Sequence, residues 1–144
     1  MKISAKTEYA CIAMLDLAAH YGSAEPIRIR HIAERHGVPP RFLVQILLQL
    51  KGAGLVNSVR GAAGGYQLVK PPQEVSLGQV MEVIDGLSEE NGQTCSASPD
   101  SPAVKVLLRA WNAVAAVQRK MLDEITLADL LERAKEQNER MYHI

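Results

Sequence analysis

Aromatic side chains are scarce in this chain: one tryptophan, one phenylalanine and four tyrosines among 144 residues. An aromatic-rich β core is therefore not expected, and the alanines running through the first and late helical stretches favour close helix packing instead. Cysteine is nearly absent as well. Cys11 and Cys95 make no disulfide framework, which fits a reducing compartment. No stretch approaches the roughly 18 uninterrupted apolar residues that a bilayer crossing needs, and Met1-Lys2-Ile3-Ser4 lacks the apolar core of a signal peptide. The expected location is the cytoplasm, with no membrane partner. Catalytic groupings are missing too: no nucleophile, base and orienting group occur together. Gly61–Gly65 leads from one extended run into another rather than into a helix, so it is not a phosphate loop and no enzyme is expected. His20, His31 and His36 are spaced by eleven and five residues, which matches no ligand pair on one helical face. They read as surface or capping residues, and His143 in the tail carries no signal.

Net charge is absent only on average. Residues 1–72 hold nine Lys or Arg against four Asp or Glu, giving +5, while residues 73–144 hold seven against twelve, giving −5. Since phosphate neutralisation supplies much of the affinity for DNA, that segregation matters more than the total.

The basic half contains the stretch that organises the chain, Val38 to Lys70. Pro39 and Pro40 suit a helix start, because their φ is already helical and the first turn has amides without internal partners. Leu43, Ile46, Leu47 and Leu50 then recur at helical spacing and form a buried stripe. The opposite face carries Arg41, Val44, Gln45, Leu48 and Gln49. In a major groove Gln45 would read an adenine edge, Val44 would meet a thymine methyl and Arg41 would reach guanine or phosphate; alternatively Val44 and Leu48 touch another element of the chain. Leu55–Arg60 and Tyr66–Lys70 read as two short extended runs around a tip of five residues, three of them glycine. With only small side chains at that tip, Arg60 is its one long cation. A hairpin laid along a duplex would put Arg60 into the minor groove, where A·T-rich tracts concentrate negative potential; a solvated hairpin arginine is the alternative.

Before this stretch, residues 5–21 form a helix capped by Ser4, with Ala10, Ala13, Met14, Leu17, Ala18 and Tyr21 on one face. Arg28 to His36 gives a short helix that turns Ile29, Ile32 and Ala33 inward and ends at Gly37. Arg28 and Arg30, near its start, are positioned for phosphate or are ordinary surface residues. Short helix, glycine turn, longer helix and glycine-tipped hairpin together make a winged helix-turn-helix. The fold class is mainly α with a small β-hairpin wing.

After the wing, Pro71 and Pro72 stop the second run, and Ser76-Leu77-Gly78-Gln79 has the form of a capping box for a helix ending at Gly86. Residues 1–86 are thus one winged domain and 87–101 a polar loop that contains Cys95. Residues 102–144 are a carboxy-terminal part. Ser101 caps and Pro102 begins the longest helix, reaching about Glu124 over roughly 34 Å. Leu107, Trp111, Val114, Val117 and Met121 line an apolar strip, with Ala103, Val106, Ala113 and Ala116 as a second edge. A small domain cannot bury both. One edge is expected on the first helix and the other against a second copy of the chain, which would set two recognition helices on a palindromic site; the alternative is a monomer that folds the helix back. Thr126-Leu127-Ala128-Asp129 starts a last helix whose Leu127, Leu130 and Leu131 pack on the domain.

These residues also carry a resemblance. Lys6-Thr7-Glu8-Tyr9-Ala10 with Ala13-Met14-Leu15-Asp16, then Gly54-Leu55-Val56, Ser58-Val59-Arg60-Gly61 and Gly64-Gly65-Tyr66, are specific in combination. Across Met1–Gly86 the chain resembles the bacterial winged-helix regulator family of IscR, NsrR and CymR. The resemblance implies a homodimeric transcription factor, in keeping with a repressor, that contacts double-stranded DNA. Arg41, Gln45 and Arg60 take contact roles in it, and Phe42 and Tyr66 support them; Pro39 and Gly61 are counted with them among the expected DNA-binding residues. The chain departs from its relatives in opening the recognition helix with prolines and in placing Val44 where some carry a polar side chain. Cluster-binding relatives carry three cysteines with five residues between each, whereas here the positions six and twelve after Cys95 are Ser101 and Leu107. No cofactor is the expectation. An iron-sulfur site of Cys95 with Glu8 and Cys11 of the other copy, a Cys95 thiol switch, a small-molecule or protein effector, and a wing that binds protein rather than DNA are the alternatives.

Overall fold

The computed structural model describes residues 2–86 and 100–142, so Cys95 and most of the polar loop lie outside the described residues. The first helix, α1 (Ala5–Ala19), begins where Ser4 Oγ accepts the Thr7 N–H at 3.1 Å. Ser4 also donates to Asp85 at 3.1 Å, and the Thr7 hydroxyl donates to the same carboxylate. A negative group thus sits at the positive end of α1. Ala10, Ala13 and Met14 are fully buried, and the two methyl-sized side chains let neighbouring helices approach closely. Tyr21, expected on this face, lies past the end of α1 and is exposed. The helix stops at His20, before the positive-φ Gly22.

The short α2 (Ile29–His36) ends at Gly37, whose φ of 67° is the left-handed conformation that glycine adopts without strain. Val38 is buried in the turn, and α3 (Pro40–Gly52) follows with Leu43, Ile46, Leu47 and Leu50 fully enclosed. Each such side chain contributes about 1.5–3 kcal/mol relative to leaving it in water. The stripe read from spacing is therefore the seam on which α1 and α2 close.

The hairpin pairs β1 (Val56–Val59) with β2 (Gly65–Leu68) antiparallel, with Val56 opposite Leu68 and Ser58 opposite Tyr66. On its other side Tyr66 exchanges two backbone hydrogen bonds with Ile27, at 2.8 and 2.9 Å. The residue two before α2 thereby joins the wing as an isolated bridge, and a Cβ on Gly65 would collide with the Ile27 carbonyl. After a 3-10 turn at Pro72–Glu74 comes α4 (Leu77–Asp85), opened by a reciprocal capping box between Ser76 and Gln79 and closed at Gly86.

The long α5 (Pro102–Glu124) has no buried residue. Ser101 occupies its cap position without a side-chain cap bond. It packs on α4, where Gly78 leaves no room for a Cβ against Asp123, and Arg119 bridges Asp123 at 2.9 Å and Glu82 at 3.1 Å. The expectation that one edge of α5 covers α1 is corrected: α6 (Leu127–Tyr142) covers α1, with Leu127 fully buried and Leu131 against the core. The reason is local. Leu77 N–H donates to the Ile125 carbonyl and Leu127 N–H to the Val75 carbonyl, both at 2.9 Å, so the end of α5 is pinned beside the start of α4.

One polar cluster holds α2 to α1. Asp16 is 4% exposed, yet Arg35 Nη1 donates to it at 2.7 Å, His36 Nε2 lies 3.1 Å away, and His20 Nδ1 is 2.9 Å from its backbone oxygen. A buried carboxylate is tolerated only when paired in this way. Arg35 and His36 also stand at the carboxy-terminal end of α2, where positive charge is favoured. Asp16→Ala is expected to lower stability by about 2 kcal/mol, the usual range for hydrogen bonds to a charged group, and Arg35→Ala by less, because that side chain is half exposed. Urea unfolding at one protein concentration checks both; an unchanged midpoint for Asp16→Ala would remove the cluster from the forces holding the two helices.

Candidate nucleic-acid interface

The buried stripe of α3 leaves the opposite arc outside. Arg41, Val44, Gln45 and Leu48 are all exposed, the two apolar ones at 45% and 56%. Neither Val44 nor Leu48 is taken up by another element of the described chain. Gln49, also expected on this arc, is instead half-buried at its edge, and its side-chain oxygen has no hydrogen-bond partner among the described residues.

The first turn of α3 has no side-chain cap, since Pro39 supplies none. Pro40 has no amide hydrogen and the Phe42 N–H donates to the Pro39 carbonyl at 3.1 Å, so among the leading amides only that of Arg41 is left for an outside acceptor. Phe42 is half-buried and rests on Tyr9 of α1, ring centroids 5.7 Å apart. The Arg41 guanidinium stands 5.2 Å over the Phe42 ring, a cation–π contact that restricts where the charge can go. A chain of contacts thus runs from the amino-terminal helix through two rings to an exposed cation.

Arg60 follows directly after β1 and is exposed, as are the next tip residues Gly61, Ala62 and Ala63. Gly61 has φ of 110° and its carbonyl accepts the Gly64 N–H at 2.9 Å, which makes the tip a tight turn. The wing is anchored at its base. Leu55 N–H donates to Leu50 of α3 at 3.0 Å, Leu55, Val56 and Leu68 are buried, and the half-buried Tyr66 is held by Ile27. Arg28 occupies the cap position of α2 without a side-chain cap bond and is exposed; Arg30 is exposed and forms a 3.6 Å surface pair with Glu34.

Two of the residues raised as cluster ligands, Glu8 and Cys11, lie on α1, three positions apart. Cys11 packs half-buried against the core, and burial, followed by the Asp85 and Glu8 carboxylates, pushes its thiol from 9.0 up to about 11. Glu8 is exposed and Cys95 lies outside the described residues. Among the described residues no group of three or more His, Cys, Asp or Glu is arranged to hold a metal. Leu107, Trp111, Val114, Val117 and Met121 of α5 are all exposed.

Two features escaped the reading by spacing. The Asp16 cluster had one signal, an acid among the apolar positions of α1. The Ile27–Tyr66 pairing had none beyond the doubled glycine before Tyr66.

Comparison with known proteins bears on all of this geometry. Residues 3–133 match the family model described as Rrf2, iron-dependent transcriptional regulator. A Mycobacterium tuberculosis protein whose name describes an HTH-type transcriptional regulator is 40% identical over 131 residues, 90% of this chain and 81% of that protein. Among solved structures, IscR of T. potens aligns with a TM-score of 0.75 at 37% identity, over 95% of this chain and 90% of that one. CymR, the global cysteine regulator of B. subtilis, aligns at 0.73 and 32% identity, over 92% and 98%. With a family model spanning most of its length and relatives of this similarity on the same fold, the chain belongs to the Rrf2 family of DNA-binding helix-turn-helix transcriptional regulators.

Proposed function

We propose that the protein is a cytoplasmic, homodimeric repressor that binds a palindromic operator through α3 and the wing, without a three-cysteine cluster. The observation that carries this is the exposed arc of α3. Arg41, Val44, Gln45 and Leu48 stand outside while every other large apolar residue of that helix except the half-buried Phe42 is enclosed, and an exposed arginine directly follows the adjoining strand. Gln45 reads an adenine edge in the major groove, Arg41 takes guanine or phosphate, Arg60 enters the minor groove, and Arg28 and Arg30 meet the backbone.

Dimerisation follows from α5. Five large apolar side chains lie exposed on one strip, Trp111 at 57%, a surface of the kind that marks an interface, and a second copy offers the matching strip. Residues 1–86 would then act as the DNA-binding unit, 102–144 as the pairing unit and 87–101 as the segment between them.

The donor chemistry does not suit a cluster held by thiolates. The chain has two cysteines, the positions six and twelve after Cys95 are Ser101 and Leu107, and burial pushes the Cys11 thiol up to about 11, so giving up its proton to a metal is harder than for an exposed thiol.

Four outcomes test the proposal. Footprinting with the purified protein is expected to protect a palindrome about two dozen base pairs long. Gln45→Ala should weaken binding by about 1–3 kcal/mol at one base position, and Arg60→Ala should weaken it at A·T-rich flanks; equal binding by wild type and Arg60→Ala would refute the wing contact. Trp111→Asp with Val114→Asp should give a monomer by sedimentation and lose operator affinity, whereas a dimer would move the interface elsewhere. At pH 8, Cys11 should react with iodoacetamide about a hundredfold more slowly than an unperturbed thiol, since that much less is thiolate; peptide mapping reads the rate, and fast labelling would reopen Cys11 as a ligand.

A further inference from the structure

Val44 and Leu48 stand one helical turn apart on the exposed arc of α3, at 45% and 56% exposure. Single exposed apolar residues need no explanation, but two stacked on one arc form a patch. Their neighbours on that arc are Arg41 and Gln45, a cation and a carboxamide, and α3 contains no acidic residue. A surface of this composition suits a partner that is anionic overall and offers hydrogen-bonding edges interrupted by small apolar groups. In a major groove that apolar group is the C5-methyl of thymine.

We infer that Val44 and Leu48 read thymine methyls, and so make the two A·T pairs they meet a requirement of the operator half-site. The inference rests on the DNA-binding reading above and deepens it. Side chains four residues apart rise about 6 Å along the helix, and stacked base pairs repeat every 3.4 Å, so the two methyls lie about two base steps apart. Gln45, next in sequence to Val44, takes an adenine edge on the same arc, which is consistent with an A·T-rich stretch at the centre of the half-site. Specificity here comes from water excluded between methyl groups rather than from a hydrogen bond. A cytosine at such a position would leave the patch facing a polar amino group.

Uracil differs from thymine only in lacking that methyl, which isolates the contact. With the full-length protein and the footprinted operator, each half-site thymine is replaced in turn by deoxyuridine and binding is measured by fluorescence anisotropy. Two positions about two steps apart are expected to lose about fourfold in affinity each, the worth of one buried methylene-sized group. Val44→Ala should become indifferent to uracil at one of them and Leu48→Ala at the other, while both keep salt-dependent binding. Specific binding with no uracil effect at any position would overturn the inference and leave the DNA-binding reading standing; that is the result expected if the patch serves a second protein. Uracil sensitivity that survives in both variants would also overturn it, by assigning the methyl contacts to other residues. The scan on the wild-type protein decides the matter even if a variant misfolds, and absence of any sequence-specific binding would sink the DNA-binding reading and this inference together.

Discussion

The enclosure of one side of α3 is the constraint from which the rest of the architecture follows. Leu43, Ile46, Leu47 and Leu50 meet the alanine-lined face of α1 and the short α2, and their burial is worth several kcal/mol in total. A helix held on one side by that much apolar contact has no freedom to roll, so the residues on its other side are presented in a fixed order. Rotating α3 by even a third of a turn would pull two of the four leucines and isoleucines into water and bury Arg41 or Gln45. Its outward chemistry is thus set by its inward packing.

The polar contacts secure the same orientation by different means. Asp16 draws Arg35 and His36 from the end of α2, and Ile27 ties the start of α2 to Tyr66 in the wing. The short helix is therefore gripped at both ends, and the turn through Gly37 and Val38 hands the orientation on to α3. Phe42, seated on Tyr9 and beneath Arg41, links the amino-terminal helix directly to an exposed charge. Burying a carboxylate at Asp16 is unfavourable without its partners, and that dependence makes the arrangement specific.

The carboxy-terminal half obeys another balance. Helix α5 packs on α4 without fully burying any residue within the described chain, whereas α6 gives Leu127 to the core and returns the chain to α1. Among the described residues no helix is long and apolar enough to cross a membrane, so the exposed strip on α5 is not a membrane span.

Local rules carried much of this structure. Helical spacing identified the buried stripe of α3; glycine chemistry located the turn at Gly37 and the tip of the hairpin; the Ser76 and Thr126 caps marked helix starts, because each feature depends on residues within a few positions of one another. The segregation of charge and the exposed Gln45 and Arg60 were readable for the same reason. Neighbours far apart in sequence were not readable. That α6 rather than α5 covers α1, that Asp16 pairs with residues 19 and 20 positions on, that Ile27 joins the wing and that Gln49 turns partly inward all depend on which surfaces meet. An amphipathic pattern says that a face must be buried but not what will bury it; that choice is made by the shapes of the assembled helices, by a glycine where a Cβ would collide and by backbone groups that find each other only once the chain has closed.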